Sequence, residues 1–212
     1  MTDAAAVATA YIALGERGLN FGAAGNVSCR HGDGMLITPT GARADSLTAD
    51  RIVSAALDGT VVGAGRPSSE WEMHAEIYRA FPAAQAVVHT HSDACVALSA
   101  LRRSLPPFHY MIAAFGGHDV RCAGYGTFGT TALAHAAVAA LEGRKACFLA
   151  NHGMICHGAS LEAAVGLAER LEVLSRQYLL ALNIGTPALL TEAEMAEVHE
   201  RYRALSYDTM RK

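Results

Sequence analysis

The chain has 212 residues, 51% of them hydrophobic and 17% charged, with a formal net charge of -3. That is enough apolar chain for a single well-filled core, so one domain over 1–212 is expected. The 17 Lys and Arg are scattered, which argues against a nucleic acid or an anionic membrane as partner.

The least polar stretch near the N-terminus, Ala4 to Leu14, follows no basic leader and falls short of the ~20 apolar residues that cross a bilayer. The expected compartment is the cytoplasm. Cys29, Cys95, Cys122, Cys147 and Cys156 form an odd set without a Cys-x-x-Cys pair, as buried thiols of a reducing compartment do. None of them is assigned to a metal.

Residues 3–19 read as a helix with Asp3 as its cap and Gly18 near its end. A Gly-rich turn from Gly22 to Asn26 leads into a hairpin, Val27 to Arg30 and Met35 to Thr38, closed by Gly32-Asp33-Gly34. Pro39-Thr40-Gly41 makes a further turn, and a short helix is expected from about Leu47 or Thr48. Ser68-Ser69-Glu70-Trp71-Glu72 opens a helix to about Ala80, with Ser69 and Glu72 at the spacing of a capping box. A strand over 86–91 follows, then a helix from about Asp93 to Leu101. Pro106-Pro107 interrupts the pattern, and Phe108 to Ala114 reads as extended. Phe128 to Leu141 is a helix, Ala146 to Ala150 a strand, and Met154 to His157 its hairpin partner across Gly153. Ser160 to Leu182 is a long helix, and Thr191 with Glu194 caps a last one to about residue 205. Helices set between short strands predict a layered α/β fold. The hairpins predict a sheet that is not all parallel.

His89 and His91, two residues apart on a strand, point to the same face. About sixty residues later Asn151-His152-Gly153 follows a second apolar run, Ala146 to Leu149. Were His152 to converge on the first pair, three imidazoles would suit a tetrahedral metal with one open position, the arrangement of a catalytic site. The competing reading is of ordinary hydrogen-bonded core histidines. His31, His74, His109, His118, His135, His157 and His199 lack any such partner spacing and read as structural. Three polar patches, Gly25-Asn26-Val27-Ser28, Thr38-Pro39-Thr40-Gly41 and Ser68-Ser69-Glu70, read singly as turn chemistry. Serines at a helix start also make an anion site, because free N–H groups and the helix dipole favour phosphate.

Taken in order, GAAGNVSCRHGDGMLITPTG, PSSEWEMHAEIYRAFPAAQAVVHTH, PFHYMIAAFGG, GYGTFGT and NHGMICHG resemble the class II aldolase/adducin family over nearly the whole chain, and within it the zinc-dependent L-fuculose-1-phosphate aldolases. The resemblance implies a three-layer α/β/α fold with a central, mainly antiparallel sheet, and a homotetramer with active sites between subunits. It implies that His89, His91 and His152 bind one Zn2+ per subunit and that Glu70 is the catalytic acid/base, within reach of the metal. Asn26, Thr40, Gly41, Ser68 and Ser69 would form the substrate phosphate pocket, and Tyr110 would enter the site of the adjacent subunit. The implied reaction is retro-aldol cleavage of a ketose 1-phosphate to dihydroxyacetone phosphate and an aldehyde. The metal would act as a Lewis acid on the enediolate. Tyr110 would take the proton of the hydroxyl on the fourth carbon, and Glu70 would return one to the enediolate carbon.

L-ribulose-5-phosphate 4-epimerases of the same superfamily run the same cleavage, but resemble a Ser-Ser-Asp pattern where this chain has Ser68-Ser69-Glu70, and carry a longer insert before the third histidine. An adducin-like scaffold without catalysis would have no use for the three histidines, Glu70 and Tyr110 together. The aldehyde half of the substrate is the open end of the reading. A C-terminal aromatic residue closes over the aldehyde in these aldolases, whereas Tyr202 and Tyr207 stand at spacings that do not match cleanly. The resemblance allows L-fuculose, 5-deoxyribulose or 5-methylthioribulose 1-phosphate.

Overall fold

The computed structural model describes residues 3–205. Helix α1 (Ala4–Glu16) starts where Asp3 accepts a hydrogen bond from the Ala6 N–H at 2.8 Å. Strands β1 (Asn26–His31) and β2 (Gly34–Ile37) form the expected hairpin, with His31 opposite Gly34. Where a helix was expected near Leu47 there is a single 3-10 turn, Ala49–Arg51. A second hairpin follows, β3 (Val53–Ala56) and β4 (Val61–Val62).

Helix α2 (Trp71–Ala80) precedes β5 (Ala86–Thr90) and α3 (Asp93–Ala100). The capping box read from Ser69 and Glu72 does not form. Glu70 occupies the N-cap position with its side chain turned inward, and Glu72 instead accepts from the Thr131 hydroxyl at 2.7 Å. Residues 108–114, expected to be extended, contain a 3-10 helix, Tyr110–Phe115, because the His109 ring accepts from the Met111 N–H and Gly116 closes the turn with φ 93°. The chain continues through β6 (Cys122–Ala123), α4 (Thr131–Leu141), β7 (Ala146–Leu149), β8 (Gly153–Gly158), α5 (Leu161–Ile184) and α6 (Glu192–Ala204). Helix α4 starts three residues later than expected because the Thr130 hydroxyl caps it, accepting from Leu133 N–H at 3.3 Å.

The strands form one sheet in the order β4-β3-β2-β1-β5-β8-β7-β6, antiparallel except for β6 beside β7. Strand alternation sends successive residues to opposite faces, and each face has its own core. Val88, Phe148 and Met154 meet α1, α3 and α5 through Tyr11, Leu98 and Leu171. Val87, Cys147 and Ile155 meet α2 and α4 through Ile77 and Leu133. The architecture is therefore three-layered α/β/α. Val87 and Val88 are both fully buried, each worth roughly 1.5–3 kcal/mol relative to exposure, which holds β5 at the middle of the sheet with both faces covered.

One polar tie crosses the first core. Ser92 sits at the N-cap of α3 but makes no side-chain cap bond; Glu172 of α5, 7% exposed, supplies the acceptor instead, taking the Ala94 and Cys95 N–H groups at 3.0 Å each. Among the described residues no helix is long and apolar enough to cross a membrane.

Candidate active site

His89 lies near the end of β5 on the α2 face and is fully buried. Its Nδ1 is 2.7 Å from the Met154 carbonyl oxygen on β8, and a carbonyl only accepts, so Nδ1 carries the hydrogen. This leaves Nε2 directed at the His91 Nε2, 2.9 Å away. His152 follows β7 in a tight turn. Asn151 takes a left-handed conformation there, φ 56°, and its N–H bonds the Ser99 carbonyl at 3.0 Å. Asn is among the few side chains that accept this conformation readily. Gly153 starts β8 so close to β5 that a Cβ would run into the Thr90 carbonyl oxygen. The turn thus brings the His152 ring to 4.8 Å from His89 and 4.7 Å from His91.

Glu70 completes the cluster from the start of α2. Its Oε2 lies 3.2 Å from His89 Nε2 and accepts from Asn26 Nδ2 at 2.9 Å, while Oε1 lies 3.3 Å from His152 Nε2. The four candidate ligand atoms lie within 4.8 Å of one another. Oε1 is buried and has no hydrogen-bond partner among the described residues, and His89 Nε2 faces both Glu70 Oε2 and His91 Nε2. Such a cluster calls for a cation. Zinc bonds of 2.0–2.1 Å imply ligand separations of about 3.3 Å in a tetrahedron, close to the 2.9–3.3 Å between neighbouring atoms here. The donor set fits a divalent metal.

The electrostatics agree. Burial holds His91 down at about 3 and His152 at about 4, reinforced by the charge of His89, so both rings are neutral ligands. Burial would raise the Glu70 carboxyl, but His89, His152 and the Asn26 amide together hold it below the usual carboxylate range. Burial likewise opposes charge on His89, and Glu70 overcomes it and raises that ring.

A cavity of about 290 Å³ opens over the cluster. Asn26, Thr40, Gly41, Ser68, Ser69, Glu70, His91 and His152 line it, so the residues expected to hold phosphate share one space with the metal candidates. The strand-like pairing of Pro39 with Pro67, with Ser68 N–H bonded to the Thr38 carbonyl at 3.0 Å, sets the two polar turns side by side. The first turn of α2 opens into the cavity and favours an anion there.

Tyr110 is not in this cavity. It begins the 3-10 helix, is 47% exposed, and lines a second cavity of about 510 Å³ together with Met111, His157, Arg170 and Tyr202. Tyr207 lies outside the described residues. Cys156 projects to the other face of the sheet, where its thiol donates to the Ala164 carbonyl, away from the cluster. Sequence reasoning assigned no role to Tyr125, Phe128 and Asn151, which complete the cavity wall. Two large aromatics inside the Gly-rich run Gly124 to Gly129 were the available signal, and they are 60% and 67% exposed at its mouth.

Comparison with known proteins gives the same picture. A 5-methylthioribulose-1-phosphate/5-deoxyribulose-1-phosphate aldolase of Rhodospirillum rubrum is 48% identical over 186 residues, covering 88% of this chain and 84% of that protein. An L-fuculose phosphate aldolase of Escherichia coli is 47% identical over 187 residues, covering 88% and 87%. A solved L-fuculose 1-phosphate aldolase superimposes with a TM-score of 0.89 at 38% identity, over 93% of this chain and 94% of that one. Residues 5–179 match the class II aldolase and adducin N-terminal domain, a span that holds the whole histidine cluster and its cavity, and the chain belongs to that family.

Proposed function

We propose that the chain is a metal-dependent aldolase that cleaves a ketose 1-phosphate into dihydroxyacetone phosphate and an aldehyde. The observation that carries this reading is the single cavity in which Glu70, His91 and His152 face Ser68, Ser69, Thr40 and Gly41. A ligand with a phosphate at one end and oxygens on the next two carbons spans from the polar turns to the histidine cluster. Zn2+ is the metal we assign, as the ion that three imidazoles take in open catalytic sites; bound there, it would supply Lewis-acid stabilisation of the charge left on the substrate when the carbon–carbon bond breaks.

The chain's own groups do the rest. Asn26, Ser68, Ser69, Thr40 and Gly41 hold the phosphate against the start of α2 and so fix the register of the sugar. Glu70, kept ionised and desolvated, takes and returns the proton of the carbon that carries the developing charge. Tyr110 serves the hydroxyl of the bond that breaks, from a neighbouring copy. Its exposure and its separate cavity support an assembly of several chains, read here as a homotetramer. The continuous sheet supports one domain over 1–212, and the five unpaired cysteines support the cytoplasm.

Metal analysis of the purified protein, with a panel of ketose 1-phosphates assayed for dihydroxyacetone phosphate, tests the reading. About one zinc per chain is expected, with cleavage lost to a chelator and restored by zinc. Replacement of His89, His91 or His152 by Ala should each abolish metal retention. Full activity in metal-stripped protein would overturn the assignment.

A further inference from the structure

Glu70, His74 and Tyr78 are spaced by four residues, which places them on one face of α2. Asn26 and Ser28 share one face of β1. Four helical residues rise about 6 Å and two strand residues about 6.8 Å, so the two stripes run in step and interleave. Asn26 Nδ2 donates to Glu70 Oε2 at 2.9 Å, Asn26 Oδ1 meets His74 Nε2 at 2.5 Å, His74 Nδ1 meets Ser28 Oγ at 2.7 Å, and Ser28 Oγ meets the Tyr78 hydroxyl at 2.8 Å. All five side chains are buried.

The direction of this row follows from what each group can do. A carboxylate only accepts, so Asn26 turns its NH2 group to Glu70 and its carbonyl oxygen to His74. That oxygen also only accepts, so His74 carries a hydrogen on Nε2. Burial, helped by the charge of His89, holds His74 down at about 3. The ring is neutral and its Nδ1 is an acceptor. Ser28 therefore gives its hydrogen to Nδ1, and Tyr78 gives its own to Ser28. Every donor in the row points toward Glu70.

We propose that His74 is a positioning residue: its Nε2–H locks the Asn26 amide with the NH2 group toward Glu70, and so orients the carboxylate that faces the histidine cluster. An amide does not pass protons along at neutral pH, so the row sets orientation and supplies no proton. The second N–H of the same NH2 group is left for a ligand in the cavity that Asn26 lines. Turned over, the amide would set its oxygen against the Glu70 carboxylate and its NH2 against the His74 Nε2–H, two repulsive contacts in a buried place. The consequence for turnover rests on the aldolase reading, whereas the Asn26 orientation and the hydrogen on His74 Nε2 rest on geometry alone.

Two measurements on the zinc-loaded protein test this. In the first, 15N-histidine labelling and long-range proton–nitrogen correlation read the protonation of His74, assigned by the signal missing from His74→Gln. A hydrogen on Nε2 only is expected, unchanged over about pH 5 to 8, where an ordinary histidine titrates. A hydrogen on Nδ1 instead, or on both nitrogens, overturns the proposal. In the second, His74→Gln, whose amide nitrogen can still donate to Asn26, is compared with His74→Leu. The Leu variant should lose about 10–100-fold in kcat/KM, the usual scale for an outer-shell partner, and the Gln variant should recover most of it. Equal losses in both variants at unchanged thermal stability would mean that His74 only fills space. If His74→Leu fails to fold, the labelling result on the unaltered protein decides. A protein that cleaves no ketose 1-phosphate while His74 keeps its Nε2 hydrogen would sink the aldolase reading and leave the orientation of Glu70 standing.

Discussion

Glu172→Gln isolates the contribution of one buried carboxylate to the helix that begins two residues after His91. In the wild-type chain both carboxylate oxygens accept, from Ala94 and from Cys95, at 3.0 Å each. The isosteric amide keeps the shape but sets an NH2 group against one of those N–H donors. A hydrogen bond to a charged group is worth about 1.5–3 kcal/mol, and a charge at a helix N-terminus about 0.3–1 kcal/mol more. Relief of the carboxylate's own desolvation offsets part of this, so a net loss of about 2 kcal/mol is expected. For a chain of this size each kcal/mol shifts Tm by about 2–4 °C, giving a drop of about 4–8 °C. Urea unfolding should show a lower midpoint at unchanged slope, and amide exchange should quicken in α3 while α2 keeps its protection. A loss under about 0.5 kcal/mol, the range of an ordinary surface change, would show that Glu172 does not hold the start of α3.

Ser69→Ala should leave stability within about 0.5 kcal/mol, because Ser69 caps nothing, yet raise KM for a phosphorylated substrate about tenfold, the cost of one hydrogen bond; unfolding of this variant would contradict both halves. Glu70→Gln should suppress solvent exchange of the dihydroxyacetone phosphate proton, while Tyr110→Phe should leave that exchange intact and slow carbon–carbon cleavage ~100-fold or more; equal loss of exchange in both would remove Tyr110 from its assigned role. His74, held down at about 3 in the folded chain against 6.5 for the free side chain, makes stability pH-dependent with a definite sign. The unfolded chain takes up the proton first, so the contribution is intact above about pH 6.5 and is lost as pH falls toward about 3. Urea titrations at graded pH should show this acid limb shrinking in His74→Gln, and an unchanged limb would remove His74 as its source.

The sequence reading succeeded where local chemistry carries the signal. Asp3 and Thr191 each cap the helix expected of them, and Thr191 with Glu194 completes a capping box. Strand alternation alone set His89 and His91 on one face. It failed where partners lie far apart in sequence or elements are very short. Strands β4 and β6 have two residues each, too few for any period to show. Ser69 and Glu72 have the right spacing for a box, but Glu70 turns into the histidine cluster and Glu72 finds Thr131 of α4, a contact that no local rule contains. His74 was read as structural because its partners, Asn26 and Ser28, are 48 and 46 residues away. Tyr110 was singled out by the resemblance, yet within one chain it stands apart from the cavity.

The cavity wall is built from two kinds of material. Its inner end is made of strand ends and the start of a helix, where Glu70 and His89 are packed among residues that the whole sheet holds in place. Its mouth is Tyr125 and Phe128, standing largely in solvent on the loop before α4. Substitutions at the mouth disturb no core and cost little stability. A lineage can therefore exchange these side chains, and with them the shape of the entrance, while the inner end stays untouched.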